Sequence, residues 1–206
     1  MPRGVYVHLE DGVREHFQCA PGPAGWRYVA ELSVPDAPDG AAGTAGAIDL
    51  TVDSRWRQIR LVMRSGGWLA RGGVAGHEVL WLRAREETGT ETAEHAERAA
   101  GFVGRSPAFL VAVARMLELE PGTGSDVRLV RLAEPALAAL TVRERWVLAE
   151  TTVHQTDIEP LRVERYEVAD LATGEGRTIH LAGDVVLAAP GIELDDLDNP
   201  PHFPWS

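Results

Sequence analysis

The sequence predicts a mainly β protein, an antiparallel curved sheet or half-barrel with one buried helix at about residues 106–118 closing its cavity. Three observations predict it. Short segments in which apolar and polar residues alternate recur along the chain, separated by glycine and proline. The stretch Pro107-Ala108-Phe109-Leu110-Val111-Ala112-Val113-Ala114-Arg115-Met116-Leu117 is instead apolar almost all round, as a helix enclosed by a sheet should be. The chain has 206 residues, 45% of them hydrophobic, which suffices for a sizeable core in a single domain spanning 1–206.

Taken in order, residues 25–34 alternate as a half-buried strand, and the Pro/Asp/Gly/Ala stretch 35–46 breaks it into a loop. Ile48, Leu50 and Val52 alternate with Asp49, Thr51 and Asp53; after a turn, Ile59, Leu61 and Met63 alternate with Gln58, Arg60 and Arg64. These make a hairpin with one apolar face. Gly66-Gly67 and Gly72-Gly73 read as turns around short strands at 68–70 and 79–82. Residues 86–98 are too polar for a core and read as an exposed loop with a helical turn near 92–100. Ser106 then caps the helix, since its hydroxyl can accept an orphan backbone N–H, and Pro107 suits the first helical position because it has none to lose. Pro121-Gly122-Thr123-Gly124 ends the helix, and the β pattern resumes at 127–130, 141–153, 161–170, 177–181 and 184–188. The proline-rich tail 199–206 cannot continue a strand and reads as a surface segment or strap. The pattern amounts to roughly nine or ten strands with one or two helices.

Composition narrows the partners. All 20 basic side chains are arginine, against 31 carboxylates and a formal charge of −11, a balance that repels phosphate backbones and anionic membranes, so no nucleic-acid partner is expected. The lysine-free, alanine- and glycine-rich composition is what a GC-rich bacterial genome encodes. Cys19 is the single cysteine, which excludes an intramolecular disulfide and fits a reducing compartment. The opening residues lack the apolar run of a secretory signal, and no run approaches a membrane span, so a cytoplasmic location is expected.

In the second half the order of signals resembles a known family. Ser106-Pro107-Ala108-Phe109 through Leu117, Gly122 to Val130, Pro135-Ala136-Leu137, Val142 to Trp146, Asp184 to Leu187 and Pro190-Gly191-Ile192 follow one another as in the bacterial β-rich glycolipid-binding family. The first half agrees through Gly25-Trp26 and Asp53-Ser54-Arg55-Trp56-Arg57. The resemblance implies an antiparallel sheet curled around a hydrophobic cavity, similar to the half-barrel carriers of lipids and lipoproteins, and implies no reaction. Where that family has threonine and asparagine after its Pro-Phe pair, this chain has Leu110-Val111-Ala112-Val113.

Candidate chemistry concentrates on 141–153 and 161–170. Glu144 shares a face with Val142, Trp146 and Leu148, and Glu164 shares one with Tyr166 and Val168. Turned into a cavity, Glu144 would have a raised pKa and serve as an acid or base; the competing reading is cross-strand Arg–Glu pairing on a solvated face. His154 and Asp157, with His180 on a later strand, are the other candidates for general-base work. His77, His95, His154 and His180 lack the spacing of a zinc helix, so neither metal nor cofactor is expected. The six tryptophans either fill the core or line a pocket. The leading functional expectation is a carrier or binder of an amphipathic, lipid-like molecule. Met63, Trp81, Phe109, Met116, Trp146 and Tyr166 would form its wall, with Arg145 or Arg165 at the mouth pairing with an acidic head group. The alternatives are a cyclase or isomerase using the same cavity to orient a hydrophobic intermediate, and, if the interior is full, an interaction scaffold whose cavity is only a packed core.

Overall fold

The computed structural model describes residues 1–22, 25–34, 43–87, 93–156 and 160–203. They form one large, curved, unclosed sheet with a single helix, a β half-barrel as the alternation predicts. The chain runs as two meanders. The first is β1 (Arg3–His8), β2 (Arg14–Gly22), β3 (Gly25–Val34), β4 (Gly43–Asp53), β5 (Gln58–Ser65), β6 (Trp68–Ala75), β7 (Glu78–Arg85) and β8 (Ala93–Glu97), each antiparallel to its predecessor. The second is β9 (Gly101–Val103), α1 (Pro107–Leu117), β10 (Gly124–Ala133), β11 (Ala138–His154), β12 (Leu161–Asp170), β13 (Gly176–Ala182), β14 (Val185–Ala189) and β15 (Ile192–Leu197). β9 and β10 are parallel, and α1 is the crossover between them. β1 pairs with β15, so the first and last strands meet in mid-sheet and join the meanders.

Alternation builds the core. Trp26, Tyr28, Ala30 and Leu32 of β3, then Ile48, Leu50 and Val52 of β4, face inward while their neighbours face out. Aromatic contacts run through it, cross-strand from Tyr6 to Phe17 at 4.7 Å and from Phe17 to Tyr28 at 5.5 Å, and from Trp26 to Trp56 of the β4–β5 connection at 5.4 Å. Helix α1 begins as expected: Ser106 is extended, its Oγ accepts from Ala108 N at 3.3 Å, and Pro107 occupies the first turn. Every residue from Pro107 to Arg115 is buried, so the helix does more than close the curl; it fills it.

Arg115 anchors that helix. Its guanidinium pairs with Glu164 of β12, and its Nε and Nη2 donate to Gly183 O at 3.1 and 2.6 Å. Gly183 turns the chain from β13 to β14 at φ +53°, where a Cβ would lie 2.3 Å from His202 O, so both backbone and space demand glycine. The segment around His202 is the strap that the prolines suggest, tied by His202 N donating to Asp184 Oδ1 at 2.7 Å. Trp26 Nε1 donates to the other oxygen at 3.2 Å, and the buried Cys19 thiol lies 3.5 Å from it. Burial and the Asp184 carboxylate push that thiol's pKa far up, leaving it unreactive.

The last strand in sheet order, β9, is finished by a side chain. Gln58 of β5, fully buried, accepts from Phe102 N at 2.7 Å and donates to Phe102 O at 3.0 Å, giving that edge the two bonds a neighbouring strand would supply. Phe102 itself packs edge-on against Trp81 of β7 at 6.3 Å.

Several sequence expectations need correction. There are 15 strands and one helix among the described residues. β1, β2 and β15 escape a hydrophobicity reading because His8 and Glu15 point inward and β15 is largely acidic. In place of a helical turn near 92–100 stands β8, whose backbone bonds to β7 override its polar composition. β4 begins at Gly43, inside the expected loop; residues 35–42, 88–92, 157–159 (Asp157 among them) and 204–206 lie outside the described residues. A bulge between Leu148 and Glu150 interrupts the β11–β12 register. Among the described residues, no helix is long and apolar enough to cross a membrane.

Candidate functional site

With the curl filled, one hollow is left at its mouth. A cleft of about 420 Å³ opens there, between the ends of β10, β13 and β15 and the first turns of α1. That volume falls in the range of roughly 300–1,000 Å³ usual for small-molecule sites. Its floor is apolar, formed by Val103, Leu110, Leu132, Ile179 and Ile192. Its rim carries both signs of charge: Arg105, Arg131 and Arg177 on one hand, Glu10 and Glu134 on the other.

The arginines are held in place by carboxylates. Glu144 of β11 is fully buried and accepts from Arg131 at 3.1 Å, Arg177 at 2.9 Å and Trp146 Nε1 at 3.0 Å. One inward carboxylate thus fixes two guanidiniums at the cleft wall. Arg105 forms a two-pronged pair with Asp11, one prong at 2.7 Å, and this partner holds the aspartate's pKa down at about 2.

Glu134 differs from these. Its Oε2 receives only a 3.4 Å bond from Ser65 Oγ, and its buried Oε1 has no hydrogen-bond partner. Burial raises its pKa above the ordinary 4.5, with Arg105 opposing the shift and Glu15 adding to it. Close behind lies a sealed polar network: Glu15 meets His8 Nε2 at 2.8 Å and accepts from Tyr28 OH at 2.8 Å and Ser106 Oγ at 2.5 Å. His8 Nδ1 is also buried without a partner. Ser106 therefore caps α1 with one lone pair while donating its proton to Glu15.

A native pKa above the unfolded value means that the folded state binds more protons, so Glu134 favours the fold at low pH and this contribution is lost as pH rises through the raised value. Glu134→Gln is expected to raise the melting temperature at about pH 8 and to lose that gain near about pH 4. Thermal denaturation at the two pH values checks this; a gain of equal size at both would contradict it.

Among solved structures, this chain is similar to a DUF1089 family protein from Pseudomonas aeruginosa, with a TM-score of 0.54, 16% sequence identity, and coverage of 86% of this chain and 89% of that one. The likeness shows the fold. No family model and no curated protein matches the chain.

The residues singled out from sequence fall in different places. Met63, Phe109, Trp146 and Tyr166 are at most 2% exposed and belong to the solid core, because α1 occupies the space they were expected to line. Met116 lines a second cleft, near the end of α1. Trp81 stacks on His95 at 5.0 Å beside an outer groove. Arg145 and Arg165 are surface ion-pair residues, with Asp126 at 2.8 Å and Glu167 at 2.6 Å. For those two strands the solvated-face reading holds on the outside, whereas Glu144 and Glu164 are buried. His154 is exposed against Thr152 Oγ1 at 3.1 Å, and His180 lies beside a shallow outer hollow with Arg145. The structure thus does not bring Glu144, His154 and His180 into one site. Among the described residues, no group of three or more His, Cys, Asp or Glu side chains is placed to hold a metal ion. Sequence reasoning missed Glu134, Arg105, Arg131, Arg177, His8 and Glu15. One signal was available: Glu15, Phe17 and Cys19 alternate, which puts a carboxylate on the apolar face of β2.

Proposed function

We propose that this chain binds an amphipathic small molecule at the mouth of the half-barrel, with the apolar part on the Leu110–Leu132–Ile179 floor and a hydroxyl-bearing polar part among the charged side chains of the rim. The observation that carries the reading is Glu134 Oε1, a buried acceptor without a partner on a residue that lines the same cleft as arginine donors fixed in place. A hydroxyl both donates and accepts, so it suits a rim offering both; a simple anion would meet Glu10 and Glu134 as well as the arginines. The occupant lies in an open cleft rather than inside an enclosed barrel, which favours a compact head and a short apolar segment.

Octyl glucoside below its micellar concentration, octanoate and octanol are the discriminating probes, read by calorimetry and thermal shift. The glucoside should bind and raise the melting temperature more than the other two. Glu134→Gln should weaken it by about tenfold, the loss of roughly one charge-assisted hydrogen bond. Ala133→Trp, on the exposed rim, should block the cleft without touching the core. Absence of glucoside binding, or unchanged binding in Ala133→Trp, rejects the reading. The raised pKa of Glu134 also favours the second reading, an isomerase or cyclase, with the acid–base role moved from Glu144 to Glu134.

A further inference from the structure

The second cleft, of about 610 Å³, lies where β10 and β11 approach the β8–β9 connection and the end of α1. Its lining concentrates cations in a chain whose net charge is −11: Arg57, Arg98, Arg128 and Arg143, with His77 beside them, against the carboxylate of Asp126. Asp126 is itself engaged by Arg145 at 2.8 Å. Arg57 is paired with Asp53 and Arg128 with Glu97, whereas Arg98 and Arg143 have no carboxylate partner among the described residues.

The register sharpens this. Arg128 and Arg143 are directly opposite one another on neighbouring antiparallel strands, and like charges in that position repel. The next outward pair along the same two strands, Asp126 and Arg145, is of opposite sign and closes into an ion pair, so the mismatch is local. Ala100 N donates to Arg128 O at 2.8 Å, which fixes the segment carrying Arg98 beside this pair. The floor between them is apolar, with Met116 and Val127. A multiply charged anion seated between the guanidiniums would relieve the repulsion and complete their hydrogen bonding, and guanidinium is the side chain best suited to tetrahedral oxyanions.

We propose that this cleft is a binding site for a phosphoryl group, separate from the cleft at the barrel mouth. The Met116–Val127 floor gives an ester with a small apolar substituent an advantage over the free ion. Calorimetric titrations with inorganic phosphate, phenyl phosphate and phenol at low ionic strength test it on the intact chain. Both phosphates should bind and phenol should not; added salt should weaken both. Phenyl phosphate tighter than inorganic phosphate identifies an ester as the ligand, and equal affinities identify the free ion. Arg98→Ser/Arg143→Ser should weaken both phosphates by tenfold or more and abolish the rise in melting temperature that they cause, while Arg55→Ser, outside the cleft, should leave both unchanged. Failure of both phosphates to bind, or unaltered affinity in the double variant, overturns the proposal; neither result bears on Glu134 or the glucoside titration.

Discussion

Arg115→Met is expected to cost about 3 kcal/mol, the lower end of the usual penalty for breaking a buried ion pair, and to lower the melting temperature by on the order of 10 °C. The change keeps an unbranched, helix-compatible chain but strands Glu164 among buried neighbours and removes both donors to Gly183 O. Arg162, 3.2 Å from Glu164 on its outer side, partly offsets the loss, which sets the figure at the lower end. Tyr166, whose pKa burial lifts to about 12, remains a hydroxyl donor to Glu164 at 3.4 Å and adds little at that length. The compensating variant Arg115→Met/Glu164→Leu should recover most of the lost stability, because removing both charges removes the desolvation penalty with them. Chemical denaturation of both variants decides the matter. Equal destabilisation of single and double variants would mean that the contacts to Gly183, and not the stranded charge, hold the helix.

The second large effect is expected at Gln58. Replacing it by leucine fills the same space but leaves Phe102 N–H and C=O without partners, at about 1–3 kcal/mol for each. Gln58→Glu discriminates further: it keeps an acceptor for Phe102 N–H while setting a carboxylate oxygen against Phe102 O. Glutamate should therefore destabilise at neutral pH, and less so in acid, where a protonated carboxyl can donate again. Hydrogen exchange at Phe102 is the direct readout. Its protection should fall in Gln58→Leu even after correction for global stability, and unchanged protection would show that β9 is held by β10 and side-chain packing alone.

How far the fold was legible depended on what each strand buries. Residues 25–34 and 161–170 are strands with those bounds, because most of their inward positions are apolar or aromatic, Glu164 excepted, and most of their outward ones polar or charged. The helix was equally plain, since a proline after a serine cap and a long apolar run admit few other conformations. β1 and β2 were not, because they bury His8 and Glu15 against each other, and a pairing of two polar residues is invisible until the strands are registered. β8 is an edge strand specified by its neighbour's backbone rather than by its own side chains. The cleft was hidden for a related reason. Glu144 was recognisable as an inward carboxylate, but its partners Arg131 and Arg177 come from β10 and β13, and Glu134 follows a strand end where alternation stops. Which side of the helix would leave a hollow depends on how the curl closes around it, and that is a property of the whole sheet.

The seam between β1 and β15 has a kinetic consequence. Each meander can zip from adjacent hairpins that need only short loop closures, whereas the seam brings together segments nearly a full chain length apart and must wait for both. Assembly should therefore pass through two preformed wings whose docking is the slow event, and a substitution such as Gly4→Val, whose side chain would collide chiefly with Asp196 O of β15 and press more lightly on Phe17 of β2, should retard refolding mainly at the seam.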